Sequence, residues 1–253
     1  MKRAVFMFAL LAFICTGFAS FAQETSPQLL YVLTHTIKPG KVAVHDEAVN
    51  GLVETFKKHN FNYPSWSYMS ENLAFYAIMP MNTMGDVDAM FEDMGRVGNE
   101  AGDAWARAGE LEAESLESYS GSVYMPRPDL SWHPASGRLA NGEGTFQRWT
   151  FYSVKVGSEA VVEGLLSDLA AMYKKHGIRD GFSVYMAIMD RDMPVYNVVQ
   201  YGRDRDDFYS HHTGNMKTLG QESRRLFDTL RTHLRKTETE HVTYQPQFSM
   251  PGN

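Results

Sequence analysis

Cysteine is nearly absent from this 253-residue chain, and so is any excess of basic charge. The one cysteine, Cys15, lies in an apolar N-terminal run, so the remainder can form neither a disulfide nor a thiolate metal site. The 24 basic residues stand against 30 acidic ones, giving a formal charge of -6. No local basic patch offsets this balance, which argues against nucleic-acid binding. A glycine-rich phosphate loop and a GxSxG elbow are also missing, so the sequence itself names no reaction.

Residues 1–22 have the pattern of a secretory signal peptide. Lys2 and Arg3 precede an apolar run from residue 4 to 18, and small residues end the segment at Ala22. The alternative is a membrane anchor, but the run is shorter than the roughly 20 residues that a spanning helix needs. Cleavage would leave 253 − 22 = 231 residues with a charge of 22 − 30 = -8. No later segment resembles a membrane span, so we expect a periplasmic or secreted product.

The rest of the chain contains an internal repeat. Lys57-Lys58-His59 recurs as Lys174-Lys175-His176, and an offset of 117 gives ten identities between residues 30 and 69. Further on the offset becomes 120, because the second copy has a longer, Asp-rich and Pro-containing turn at residues 190–194. A repeat of this length indicates domain duplication rather than a solenoid. We expect units at 27–126 and 145–250, joined by a linker at 127–144 that is rich in proline and glycine.

Each copy has the same predicted order of elements. A strand rich in β-branched and aromatic residues ends at a glycine, Gly40 or Gly157, and an amphipathic helix follows. Two strands come next, then a mostly helical stretch interrupted by glycines, and a last strand that ends at Tyr124 or Tyr244. The order β-α-β-β-α-β is that of a ferredoxin-like unit. The sequence therefore predicts an α+β protein in which two tandem ferredoxin-like units bring their uncovered sheet faces together as an intrachain, pseudo-dimeric α/β barrel.

This duplicated pattern, over residues 29–250, resembles the dimeric α/β-barrel superfamily. The superfamily includes antibiotic-biosynthesis-type monooxygenases, haem-degrading monooxygenases, NIPSNAP-like proteins and haem-binding chlorite dismutases. The resemblance implies a ligand pocket between a sheet and its helices. The haem-degrading members carry an asparagine on the first strand, which this sequence lacks.

Four residues are candidates for a pocket that would hold an aromatic ligand. His35 and Tyr152 occupy matching positions on the first strands of the two copies, Asn197 lies on the third strand of copy two, and Trp105 lies on a helix of copy one. An enclosed apolar pocket with a few hydrogen-bonding groups is what a cofactor-free oxygenase would need. The same tyrosine and tryptophan side chains are equally suited to core packing.

His211 and His212 are candidates for a metal or haem ligand. Neutral imidazole is the commonest such group, and the resemblance implies that haem-binding relatives take their axial histidine from this region. Against this, adjacent histidines point about 100° apart on a helix, so both cannot easily hold one ion. The nearby aspartates are also explained by capping at a helix start. Haem is therefore compatible with the sequence but is not favoured.

Two functions of different classes remain. The first is an exported protein that binds a small molecule or a partner without catalysis, and the second is a monooxygenase-like or haem-binding oxidoreductase. The sequence leaves open whether the protein is an enzyme, what its ligand is, and whether it forms a homo-oligomer.

Overall fold

Eight strands and five helices alternate along the chain, as a computed structural model shows for residues 29–140, 142–190 and 192–250. The expected signal peptide at 1–22, with Cys15, lies outside these residues. The strands are β1 (Leu29–Ile37), β2 (Trp66–Ser70), β3 (Ala74–Met81), β4 (Leu116–Pro126), β5 (Phe146–Val154), β6 (Phe182–Met189), β7 (Val195–Gly202) and β8 (Leu234–Tyr244). The helices are α1 (Val42–Lys58), α2 (Gly85–Ala101), α3 (Asp103–Ser115), α4 (Glu159–Lys175) and α5 (Arg205–Thr232).

The eight strands form one closed antiparallel barrel in the order β1-β3-β2-β8-β5-β7-β6-β4. The first four strands are contiguous in this order, and so are the last four. Two seams join them, β2 to β8 and β4 to β6. Each ferredoxin-like sheet therefore satisfies its edge hydrogen bonds with the other sheet, which removes exposed strand edges. The expected α+β fold with a closed α/β barrel is confirmed.

The helices cover the outer face of the barrel. On α4, Val162, Leu166 and Leu169 are buried at three- and four-residue spacings and pack with residues of β6 and β7. On α1, Val49 and Val53 pack against Ile37 of β1 in the same manner. Among the described residues, no helix has the length and apolar character that crossing a membrane requires.

The helical stretch before the last strand breaks at one glycine in each half. Gly102 separates α2 from α3 with φ 54° and ψ -114°, and Gly220 lies within α5 with φ 54° and ψ -129°. An L-residue with a side chain rarely adopts this left-handed backbone, so glycine is required at both kinks. The expected pair of helices is therefore present in both halves, and in the second half the two helices meet at the Gly220 kink within α5.

The segments that follow β4 and β8 pack reciprocally on the opposite half. Ser131 Oγ accepts a hydrogen bond from the Val184 N–H of β6 at 2.8 Å. Ser249 Oγ accepts the corresponding bond from the Ser67 N–H of β2 at 2.9 Å. These contacts tie the end of each half to a strand of the other, beyond the two barrel seams.

Candidate functional site

The alternation of side chains along the strands gives the barrel an inner and an outer set of pockets. On β1, Val32 and Thr34 face the barrel interior, whereas Leu33 and His35 face the helices. Three cavities result: the lumen inside the barrel, the first-half cavity between the first sheet and α1–α3, and the second-half cavity between the second sheet and α4–α5.

The first-half cavity has a volume of about 290 Å³ and is predominantly apolar. One wall is formed by residues of α3 and the first residue of β4, which follow one another at helical spacing: Trp105, Gly109, Glu112 and Leu116. The outer face of the first sheet forms the floor, and apolar side chains of α1 line another side. Its other apolar and aromatic lining residues include Leu33, Val49, Leu52, Val53, Phe56, Phe61, Phe75, Ala77, Met79, Phe91 and Met94.

His35, which lines this cavity, forms a pair with a second buried histidine, His45 of α1. His35 Nδ1 and His45 Nε2 lie 3.2 Å apart and share one proton in a hydrogen bond. Both rings also contact Phe75, with the His45 ring centroid 4.9 Å from that of Phe75. Burial lowers the pKa of His35 to about 4, helped by the nearby charge of His45, and burial lowers the pKa of His45 to about 4. Both rings are therefore neutral at pH 7 and polar without carrying charge.

Glu112 is the acidic group of the first-half cavity. It lies on α3 and is partly buried, and desolvation raises the pKa of its carboxyl. Within the described parts of the chain, its side chain has neither a basic partner within ion-pair distance nor a hydrogen-bond donor. A carboxyl with a raised pKa in an apolar pocket is a common feature of general acids and bases.

The second-half cavity has a similar volume of about 280 Å³ but a more polar lining. It contains Tyr152, Arg148 and His212. His212 Nε2 lies 3.2 Å from an Arg148 guanidinium nitrogen, and the His212 ring stacks on Phe208. Burial, followed by the Arg148 charge, lowers the pKa of His212 to about 4. The adjacent His211 is exposed and lies 3.7 Å from Asp207.

These residues do not fit a haem. The Nε2 atom of His212, which would bind iron, faces the Arg148 guanidinium, and a cation at that position opposes a metal ion. The cavity of about 280 Å³ is also smaller than the roughly 300–1,000 Å³ of sites for drug-sized ligands, and a porphyrin is large among these. His211 points to the solvent side near Asp207. In the described residues, no group of three or more His, Cys, Asp or Glu side chains could hold a metal ion.

The four predicted pocket residues lie in three different cavities. His35 and Trp105 line the first-half cavity together, Tyr152 lines the second-half cavity with His212, and Asn197 faces the lumen. The structure thus brings His35 and Trp105 to one site and separates them from Tyr152 and Asn197.

Glu112 and His45 were not among the site residues predicted from the sequence. Each lies in the apolar stripe of its helix, and this position is the sequence signal that could have indicated a buried ionisable group. Glu112 is seven residues after Trp105, and His45 is four residues before Val49, so each occupies a position where helical periodicity predicts burial. An ionisable residue in a buried register is a candidate functional group.

No protein-family model matches the chain, and no curated protein matches its sequence. Solved structures do match it along most of its length. A candidate monooxygenase from Fusobacterium nucleatum shares 10% identity with a TM-score of 0.54, and the match covers 87% of this chain and 93% of that one. An anthrone oxidase-like protein shares 11% identity with a TM-score of 0.52, over 87% and 92% of the two chains. A mutant chlorite dismutase from Candidatus Nitrospira defluvii, solved in complex with cyanide, shares 14% identity with a TM-score of 0.50, over 87% and 92%.

These neighbours are proteins of the dimeric α/β-barrel superfamily, in agreement with the resemblance inferred from the repeat. At such low identity, the similarity establishes the fold alone. Function must therefore be argued from the cavities of this chain.

Proposed function

We propose that the protein binds a small, largely apolar ring compound in the first-half cavity. The observation that carries this proposal is Glu112, a carboxyl with a raised pKa and no ionic partner among the described residues, in a cavity otherwise lined mostly by carbon. His35, neutral at pH 7, adds one hydrogen-bonding group to the same cavity. An enclosed apolar pocket with a few convergent polar groups is the usual form of a small-molecule site.

The size of the cavity limits the ligand. Its volume of about 290 Å³ is roughly twice that of an engineered cavity of about 150 Å³ that accepts benzene. A compound of about two or three fused rings has the matching size. A hydroxyl group on such a compound would have Glu112 or His35 as its hydrogen-bond partner.

Titration with 2-naphthol tests this proposal, with the fluorescence of the tryptophans as readout. Gly109 is an exposed glycine that lines the cavity, and a side chain added there meets no other atom, so Gly109→Leu should obstruct the mouth of the cavity and weaken binding at least tenfold. The matched control is Gly95→Leu, a substitution at an exposed glycine of α2 that does not line the cavity. Equal affinity of both variants for 2-naphthol would refute the assignment.

The second candidate function is oxygenation of this ligand without a metal or organic cofactor, and Glu112 favours it. As a carboxylate, Glu112 can take a proton from an acidic C–H or O–H group of an electron-rich ring compound, and the resulting anion can react with dioxygen. With anthrone as substrate the balanced reaction consumes one dioxygen and gives anthraquinone and water. The fold similarity to an anthrone oxidase-like protein is compatible with this candidate.

Glu112→Gln separates binding from catalysis. The amide keeps the shape of the side chain but cannot accept a proton, so the variant should bind 2-naphthol and lose dioxygen consumption with anthrone by at least a hundredfold. Glu110→Gln, on the exposed side of the same helix, is the control. If wild-type protein does not accelerate anthrone oxidation, the protein is a binder without this catalysis.

We propose further that the protein acts in the periplasm or outside the cell, after removal of residues 1–22. The charged start, the short apolar run and the small residues before Gln23 support this. N-terminal sequencing of protein recovered from the exported fraction should begin at Gln23. An intact Met1 in that fraction would contradict the proposal.

We propose that the two halves arose by tandem duplication, with units at 27–126 and 145–250 and a connection at 127–144. Support comes from the ten identities at one offset and from glycines with left-handed φ at Gly40 and Gly157, where the offset is the same. The two halves expressed as separate chains should associate one to one, because each seam of the barrel pairs strands from both. Two stable, non-associating halves would contradict this arrangement.

A further inference from the structure

The lumen of the barrel is a cavity of about 530 Å³, separate from the sheet–helix cavities. Barrels of eight strands are usually just filled by their inward side chains, or they hold one small ligand. Here aromatic rings from both halves line the wall without filling the space. Trp149 is central, with its ring centroid 4.7 Å from that of Tyr76 and 5.6 Å from that of Tyr68.

Most polar groups around the lumen bind one another. Trp149 Nε1 donates to Gln147 Oε1 at 2.7 Å, and Gln147 Nε2 donates to Tyr68 Oη at 3.1 Å. Ser183 and Tyr201 share a hydrogen bond of 2.8 Å between their hydroxyls. These bonds orient the rings and fix the shape of the wall.

Among the described residues that line the lumen, Asn197 has the one fully buried polar atom without a hydrogen-bond partner. It is only 8% exposed and lines the lumen, yet its Oδ1 atom has no hydrogen-bond partner. Buried polar atoms are nearly always hydrogen-bonded, because leaving one unpaired opposes folding. A group that enters the lumen and hydrogen-bonds this amide would satisfy it.

The lumen is suited to a neutral ligand. Asp190 is the one charged residue in its described lining, and it already accepts a hydrogen bond from the Tyr124 hydroxyl at 2.8 Å. Burial raises the pKa of Tyr68 and that of Tyr201, so these hydroxyls remain neutral and an additional negative charge would be unfavourable. No cation in the described lining is available to pair with an anionic ligand.

We infer that the lumen is a second ligand site, which takes a neutral, planar aromatic compound with a hydroxyl group that hydrogen-bonds the Asn197 amide. The volume is between three and four times the roughly 150 Å³ that accepts benzene, which admits about four fused rings. At one end the lumen adjoins a larger pocket of about 830 Å³, and the two share Trp66, Tyr68, Gln147 and Tyr201.

This site does not depend on the ligand proposed for the first-half cavity. The wall of the barrel separates the two, since Val32 of β1 faces the lumen and His35 faces the other side. Variants can therefore fill either space without touching the other.

The probe for the lumen is 1-hydroxypyrene, compared with pyrene, which has the same rings and no hydroxyl. Wild-type protein should bind 1-hydroxypyrene with quenching of Trp149 fluorescence, and at least tenfold more tightly than pyrene. Because three other tryptophans contribute to the emission, Trp149→Phe identifies the quenched fraction. The same protein preparation is titrated with 2-naphthol, which reports on the first-half cavity.

Two substitutions in the lumen and one outside it locate the probe. Asn197→Leu should weaken binding of 1-hydroxypyrene at least tenfold without lowering the urea midpoint of the free protein, because the unpaired amide is removed. Val199→Phe should fill the lumen and weaken the binding of both pyrenes. Gly109→Leu should leave the binding of both unchanged while it weakens 2-naphthol.

Three results would overturn the inference. They are no binding of 1-hydroxypyrene by wild-type protein, equal affinities for 1-hydroxypyrene and pyrene, and loss of 1-hydroxypyrene binding in Gly109→Leu but not in Val199→Phe. The last result would place the probe in the first-half cavity and leave the proposed function intact. Conversely, if wild-type protein binds 1-hydroxypyrene but not 2-naphthol, the result would count against the proposed function and leave the lumen site supported.

Discussion

The buried pair of His35 and His45 makes the stability of the fold sensitive to acid. In the unfolded chain an imidazole has its ordinary pKa of 6.5, whereas in the folded protein burial lowers the pKa of both rings to about 4. Between these values the unfolded chain binds more protons than the folded one, so protonation favours unfolding. This contribution to stability is complete above pH 6.5 and is lost as the pH falls towards 4.

The size of the effect follows from the shift. For one histidine, lowering the pH from 7 to 5 should decrease the free energy of unfolding by about 2 kcal/mol, because each pH unit within the window corresponds to about 1.4 kcal/mol. His45→Leu removes one of these groups, since the His45 side chain is fully buried. At pH 7 the variant loses the bond to His35, at a cost of about 1–3 kcal/mol. Between pH 7 and 5 it should then lose about 2 kcal/mol less than wild type.

Urea denaturation followed by circular dichroism, at pH steps from 7.5 to 5, measures this difference. Val53→Ala, which removes a buried side chain of α1 that cannot titrate, is the control; it should lower stability but keep the wild-type pH dependence. Wild type and His45→Leu losing the same free energy over this range would refute the assignment of the buried pair as the acid-sensitive element.

Three further substitutions test an ion-pair cluster, a helix kink and a contact between the two halves. Arg138→Met should lower the free energy of unfolding by about 3 kcal/mol in urea denaturation, because Asp180 and Asp207 lose ion pairs of 2.6 and 2.8 Å and only Asp207 keeps another arginine, Arg203 at 3.4 Å. Gly220→Ala should lower it by about 1–3 kcal/mol, because alanine is strained at φ 54°. Ser249→Ala should lower the thermal midpoint through a loss of about 1–3 kcal/mol, because a buried N–H of β2 loses its acceptor.

For each variant, one result would contradict the prediction. A wild-type urea midpoint for Arg138→Met would show that the two carboxylates are already solvated. An unchanged Gly220→Ala would show that the α5 kink relaxes into regular helix, and circular dichroism would detect the added helix. An unchanged Ser249→Ala would show that water replaces the hydroxyl.

The elements of the fold were predictable because local patterns specify them. The β1 strand was expected at residues 29–37 and is found there, since alternating β-branched and aromatic residues define a half-buried strand. The helix break in the second half was expected at a glycine, and Gly220 has the left-handed backbone that only glycine adopts readily. The basic pair Lys57-Lys58 ends α1 as expected for the negative end of the helix dipole.

The candidate site was predictable only in part. His35 and Trp105 lie in one cavity, as the expected pocket requires, but Tyr152 and Asn197 lie in two others. Alternation along a strand shows that neighbouring residues face opposite sides, but it does not say which side is the lumen and which is covered by helices. That choice depends on how the two sheets close.

The sequence by itself determined the order of the elements, the helix ends and the broad fold class, because each depends on residues close together in the chain. Only the tertiary structure decided which strands form the seams, which face of each strand lines a cavity, that Glu112 and His35 line the same cavity, and that His35 pairs with His45. These features depend on contacts between distant segments. The physical reason is that burial, and with it the pKa of each ionisable group, is set by everything that packs around a side chain and not by its neighbours in sequence.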